Sequence, residues 1–199
     1  MAPLSDKDRS AHKLGNLNER NVRNVLHAIL LQYNYKLIHL WECGLLIQNE
    51  KPWLATSLDG WIVCRPSNNS EEGDQSNFHI GLEIKTPSSK KILDKVRTYR
   101  DAMGTTFTCN LGNDLFHSLV YDQDYKVQIL HHAAVCGFNS ILFVVADSVK
   151  IIYCVWVNIS DLQRQNYIST LEITYDDALK WAFEGAFTAN DPKSEIPEF

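Results

Sequence analysis

No apolar run in these 199 residues approaches the ~20 that a membrane-crossing helix requires, and a run such as residues 141–146 has the length of a strand. The opening MAPLSDKDRSAHK has no apolar stretch of the signal-peptide kind, so the expected location is intracellular, nuclear or cytoplasmic. Zinc-site spacing is missing as well. The five cysteines (Cys43, Cys64, Cys109, Cys136, Cys154) are dispersed, odd in number and without a C-x-x-C pair, which predicts buried reduced thiols rather than a metal cage or disulfide framework. Without a secretory route the sequons at Asn68 and Asn158 carry no weight. Basic charge is not in excess either. Nineteen basic residues stand against 24 acidic ones, a net −5, which excludes a nucleic-acid coat held by charge alone. No internal repeat or clear linker divides the chain.

What is present suits one globular domain spanning 1–199, with 1–14 as a polar lead-in and 190–199 as a loose tail. The composition is 45% hydrophobic and 22% charged, and a chain of this length buries about 70% of its unfolded surface. Val22, Val25, Leu26, Ile29, Leu30, Tyr33 and Leu37 recur at three- and four-residue spacing and predict an amphipathic helix over 18–40, capped by Asn16 or Asn18. Strands are expected at 44–47, 54–56, 61–64 and 78–85, with a turn at Asp59-Gly60 and a polar hairpin loop at 66–77. Pro87 stops the strand that ends at Lys85, and a basic helix follows over 90–100. Residues 104–120 fit no single pattern. A helix over 121–135, strands at 141–146 and 150–157, and a last helix over 176–187 complete an α/β domain with one central sheet.

Three segments carry the chemistry. Ser57-Leu58-Asp59-Gly60 forms a turn into a strand, Glu83-Ile84-Lys85 ends a strand 24 residues later, and Tyr125-Lys126-Val127-Gln128 lies on a helix. Side chains two apart on a strand share a face. Glu83 and Lys85 therefore project together, while Ile84 turns into the core. A second carboxylate from the neighbouring strand, Asp59, completes a site suited to a hard cation, which takes a few carboxylates plus water and phosphate oxygens. The lysine then stands near the attacking water.

Together with Gly81-Leu82, Thr86-Pro87 and the Trp53-Leu54-Ala55-Thr56 run, these segments resemble the lambda-exonuclease (YqaJ-type viral recombinase) branch of the PD-(D/E)XK nucleases over about residues 15–157. The resemblance implies a restriction-endonuclease-like core, with a mixed β-sheet flanked by helices and the active site at one sheet end. It further implies Mg²⁺ or Mn²⁺ bound by Asp59, Glu83 and the backbone carbonyl of Ile84, with Lys85 serving the attacking water. Gln128 corresponds to the family's helix glutamine, and Glu19, shortly after Gly15, to a glutamate on its early helix. The implied activity is metal-dependent hydrolysis of DNA, as an exonuclease on duplex ends in recombination, repair or mobile-element processing. Leu58 stands where the family usually has proline. The relatives' basic residue that grips a 5′-phosphate has no counterpart in 1–14. An endonuclease of the same fold on RNA or branched DNA, and a non-cleaving module of nuclease fold that binds nucleic acid or a protein, remain as alternatives. A homo-oligomer is compatible with either.

Lys85, Lys90, Lys91, Lys95, Arg97 and Arg100 place six basic residues in sixteen positions against one acid, Asp94. Lys90, Lys91 and Lys95 are thus the candidate DNA contacts. His131-His132, one turn past Gln128, reads as packing or surface with a metal role as the alternative, and Trp53, Trp61, Trp156 and Trp181 read as core rather than base-stacking residues.

Overall fold

The computed structural model describes residues 6–67, 76–87, 94, 97, 104–112, 123–147 and 150–188. Helix α1 (Asp6–Gln32) leads into strands β1 (Tyr35–Trp41), β2 (Leu45–Gln48), β3 (Lys51–Ser57), β4 (Gly60–Pro66), β5 (Phe78–Lys85) and β6 (Thr106–Asn110). Then come helix α2 (Gln123–Cys136), strands β7 (Ser140–Ala146) and β8 (Ile151–Asn158), and helix α3 (Asp161–Thr188). Six strands form a mixed sheet in the order β1-β4-β5-β7-β8-β6, flanked by helices, and β2 pairs with β3 in a separate ribbon. The fold class is the α/β class expected from the sequence.

The first helix differs from its sequence reading at both ends. It starts at Asp6, inside the supposed lead-in, and stops at Gln32 rather than running to residue 40. Tyr33 and Asn34 close a turn onto Leu30 and Leu31, and Asn34 takes a positive φ of 61° that breaks the helix. Residues 35–41 then become an edge strand on β4. The error came from Tyr33 and Leu37, which continue the helical spacing by coincidence while also serving the core from a strand. Asn18 is consequently no cap. It lies mid-helix, 1% exposed, donating from Nδ2 to Thr86 Oγ1 at 3.1 Å.

Both faces of the sheet are covered. Val22, Leu26, Ile29 and Leu30 of α1 pack on Ile62, Ile80, Leu82, Ile84, Leu142 and Val144. On the other face Ile129 and Ala133 of α2 meet Leu58, Phe138, Ile141, Phe143 and Val155. The unbroken apolar run of β7 is buried along its whole length, as a central strand covered on both faces must be. β5 and β7 run parallel, and α2, which enters β7 through Gly137 at φ 73°, lies in the connection between them.

The segment without a clear pattern supplies β6, which pairs parallel to β8. The last helix begins at Asp161, not 176, behind a reciprocal cap. Gln163 N donates to Ser160 Oγ at 3.2 Å, and Ser160 N to Gln163 Oε1 at 2.9 Å. Asp59-Gly60 links β3 to β4 across the two sheets rather than closing a hairpin between them. Trp156 is buried and Trp61 packs against the core, but Trp181 is 63% exposed, contrary to its core assignment. The cysteines are all free thiols. Among the described residues no helix is long and apolar enough to cross a membrane.

Candidate active site

Strand pairing brings the two carboxylates together. Gly60 sits opposite Leu82 in the antiparallel β4–β5 ladder, so Asp59, just before β4, faces the C-terminal end of β5. Ile84 N–H donates to Asp59 Oδ2 at 2.6 Å, tying the aspartate to the backbone between Glu83 and Lys85. Ile84's side chain is buried in the α1-facing core, as the alternation of a strand requires. Glu83 and Lys85 emerge on the opposite face, under α2.

Glu83 is 3% exposed, and among the described residues its side-chain oxygens meet Lys85, Gln128 and His132. Lys85 Nζ lies 2.6 Å from Oε1, and Gln128 Nε2 donates to the same oxygen at 2.8 Å. His132 Nε2 lies 3.1 Å from Oε2, at ion-pair distance but off the line of a hydrogen bond. The other ring nitrogen of His132, Nδ1, makes a short contact with Thr56 Oγ1 on β3. Lys85 is held from its other side by the ring of Tyr125, whose centroid is 5.1 Å from Nζ. A buried carboxylate needs such partners, since its desolvation otherwise drives it neutral.

Asp59 is left in a different state. Burial first, then the charge of Glu83, push its carboxyl up from 3.8 to about 6, with Glu19 adding to the rise. The Ile84 N–H and Lys85 pull the other way without cancelling it. Helix α1 contributes the remaining parts. Arg23 grips the Asp59 carbonyl through Nη2 at 2.7 Å and Nε at 3.1 Å, and also reaches Glu19 Oε2 at 3.4 Å. Glu19 thus stands at the rim of the site, its carboxylate held by Arg23 and its field felt by Asp59.

No family model matches the chain, and no curated protein matches it. The site is therefore read from its own residues. Asp59, Glu83, Lys85, Gln128, Glu19 and the Ile84 backbone all converge on one sheet end. Lys90, Lys91 and Lys95 lie outside the described residues. Within that segment Asp94 and Arg97 are helical, and Arg97 reaches Asp147 Oδ2 at 3.5 Å. A cleft of about 480 Å³ between α1 and the β7–β8 end, lined by Asn18, Val22, Asp147 and Lys150, opens on the face away from Glu83.

Among the described residues no group of three His, Cys, Asp or Glu side chains is set as a ready metal cage. The donor set is instead a pair of carboxylates, with Asp59 raised by its burial and by the charge of Glu83. That set fits Mg²⁺ or Mn²⁺, which bind through one or two carboxylates and fill their remaining positions with water and phosphate oxygens.

Two side chains at this sheet end escaped the sequence reading. Arg23 was signalled only by its i,i+4 spacing from Glu19. His132 was grouped with His131 as packing, and the structure separates them. His131 binds Ala55 O and the Tyr167 hydroxyl, tying β3 to α3, while its neighbour turns to Glu83.

Proposed function

We propose that the chain is a Mg²⁺- or Mn²⁺-dependent nuclease of the PD-(D/E)XK kind that hydrolyses DNA phosphodiester bonds, acting on duplex ends. The observation that carries this reading is the raised Asp59 carboxyl beside the buried, lysine-paired Glu83. A structural ion pair has no need of a second buried carboxylate beside it, whereas a cation site uses one. Asp59, Glu83 and the Ile84 carbonyl would hold the metal. A divalent cation bound there would supply Lewis acidity toward a phosphoryl oxygen and toward the attacking water. Lys85, fixed between Glu83 and Tyr125, orients that water and offers positive charge to the developing oxyanion. Gln128 and His132 hold the two oxygens of the Glu83 carboxylate in place.

Linear, nicked, circular and single-stranded DNA, with structured RNA, incubated with Mg²⁺ or with excess EDTA, test the proposal. Mg²⁺-dependent loss of linear duplex from its ends supports it. Internal cuts in circular or branched substrate turn it to an endonuclease. Binding without any cut in Mg²⁺ or Mn²⁺ leaves the non-cleaving module.

A further inference from the structure

Beside the carboxylates the same sheet face carries a row of aromatic rings. Trp41 of β1 lies directly opposite Trp61 of β4, and Trp61 opposite Gly81 of β5. Directly paired residues share a face. Gly81 is two residues before Glu83, so the Trp41–Trp61 row lies on the carboxylate face, one step of about 7 Å down the strands. The next row holds His39 and His79, each opposite Val63.

These rings are fixed rather than loose. Trp61 Nε1 donates to His79 Nδ1 at 3.0 Å, and its ring meets Phe138 edge-on at 5.0 Å. Trp41 stands edge-on to Trp61 at 6.0 Å and against His39 at 4.1 Å. Even so, Trp41 is 46% exposed on the edge strand. Glu42 follows it and reaches Arg23 Nη1 at 3.9 Å, the same guanidinium that holds the Asp59 carbonyl. The end of β1 and the backbone at Asp59 are thus joined through one arginine.

We infer that Trp41, backed by Trp61 and His39, is a stacking platform for an unpaired base of a single DNA strand whose neighbouring phosphodiester lies at Asp59 and Glu83. Base faces stack on aromatic side chains whatever the sequence. Trp41 lies two strands across and one row down from Glu83, about 12 Å by strand spacing and rise, so a base on the rings leaves its strand within one or two nucleotides of the carboxylates. Trp41 stands against Trp61 and His39, and His79 backs Trp61 in turn. The location of the phosphate rests on the nuclease reading; the stacking does not.

The test is binding of a fluorescein-labelled oligothymidylate in EDTA, where no cleavage intervenes, followed by anisotropy and by tryptophan quenching. The wild type should bind with quenching. Trp41→Ala should bind about ten-fold more weakly, Trp41→Leu should match it, and Trp41→Tyr should stay near wild type. A blunt duplex, which offers no unpaired base, should lose less than the single strand. Equal binding by wild type, Trp41→Ala and Trp41→Leu overturns the platform, as does an oligomer that these substitutions dissociate, which would make the row a contact between copies. Failure of the nuclease reading shows elsewhere, as wild-type protein that cuts nothing in Mg²⁺ whatever Trp41 binds.

Discussion

Asp59 gives the sharpest test at the level of single residues. Its folded carboxyl titrates at about 6 against 3.8 for the free group, so the folded state holds the proton more tightly. The metal-free protein therefore loses stability as pH rises from about 4 through about 6. Asp59→Asn removes that loss while keeping an acceptor for the Ile84 N–H. Each pKa unit corresponds to about 1.4 kcal/mol, so the variant should melt as the more stable protein above pH 6, by about 1–3 kcal/mol, and lose the advantage near pH 4. Thermal melts across this range in EDTA check it; a destabilised variant at every pH would make Asp59 an ordinary turn residue. His132 allows a second prediction. It acts through Glu83, so His132→Ala should raise the Mg²⁺ needed for half-maximal cleavage about 10–100-fold, the scale of lost outer-layer support. His131→Ala should lower the melting temperature and leave that Mg²⁺ requirement in place.

At the scale of elements, β4 and β5 carry the site because a glycine lets them. A Cβ on Gly81 would overlap Ile141 Cδ1 and come within 3.2 Å of Leu58 and Phe138, all packed under α2. Gly81→Ala should thus destabilise by about 1–3 kcal/mol and slow cleavage by shifting Glu83, two residues on. Chemical denaturation beside a rate measurement tests both halves. The strand end Glu83-Ile84-Lys85 was legible in the sequence because alternation and Pro87 dictate which side chains share a face and where the ladder stops. The same local logic failed for β1, since its seven residues follow α1 with no proline or glycine between, and only the positive φ of Asn34 marks the break. It missed the first half of α3 too, although Ser160 and Gln163 spelled the cap. His132 was invisible for another reason. Its partners, Thr56 and Glu83, are 76 and 49 positions away, and one ring neighbour in sequence, His131, performs a different task.

For the molecule as a whole, the proposed function would set a net charge of −5 against a polyanionic substrate. The basic stretch around Lys90, Lys91 and Lys95 is the obvious local remedy. Neutralising all three should weaken DNA binding uniformly across sequences and flatten the log–log salt dependence by up to about three units, with little change in melting temperature. An unaltered slope would mean that the strand approaches from elsewhere, by way of Lys85 and the Trp41 row. The central claim is that one sheet end holds a metal-dependent hydrolytic centre. Its most direct test is the single-turnover rate on end-labelled linear duplex in saturating Mg²⁺, for wild type and Lys85→Ala. The account predicts cleavage by wild type that stops in EDTA, and a Lys85→Ala variant that binds the duplex but cuts it at least ~10²-fold more slowly. Equal rates for the two proteins, or wild-type cleavage undiminished in EDTA, would contradict it.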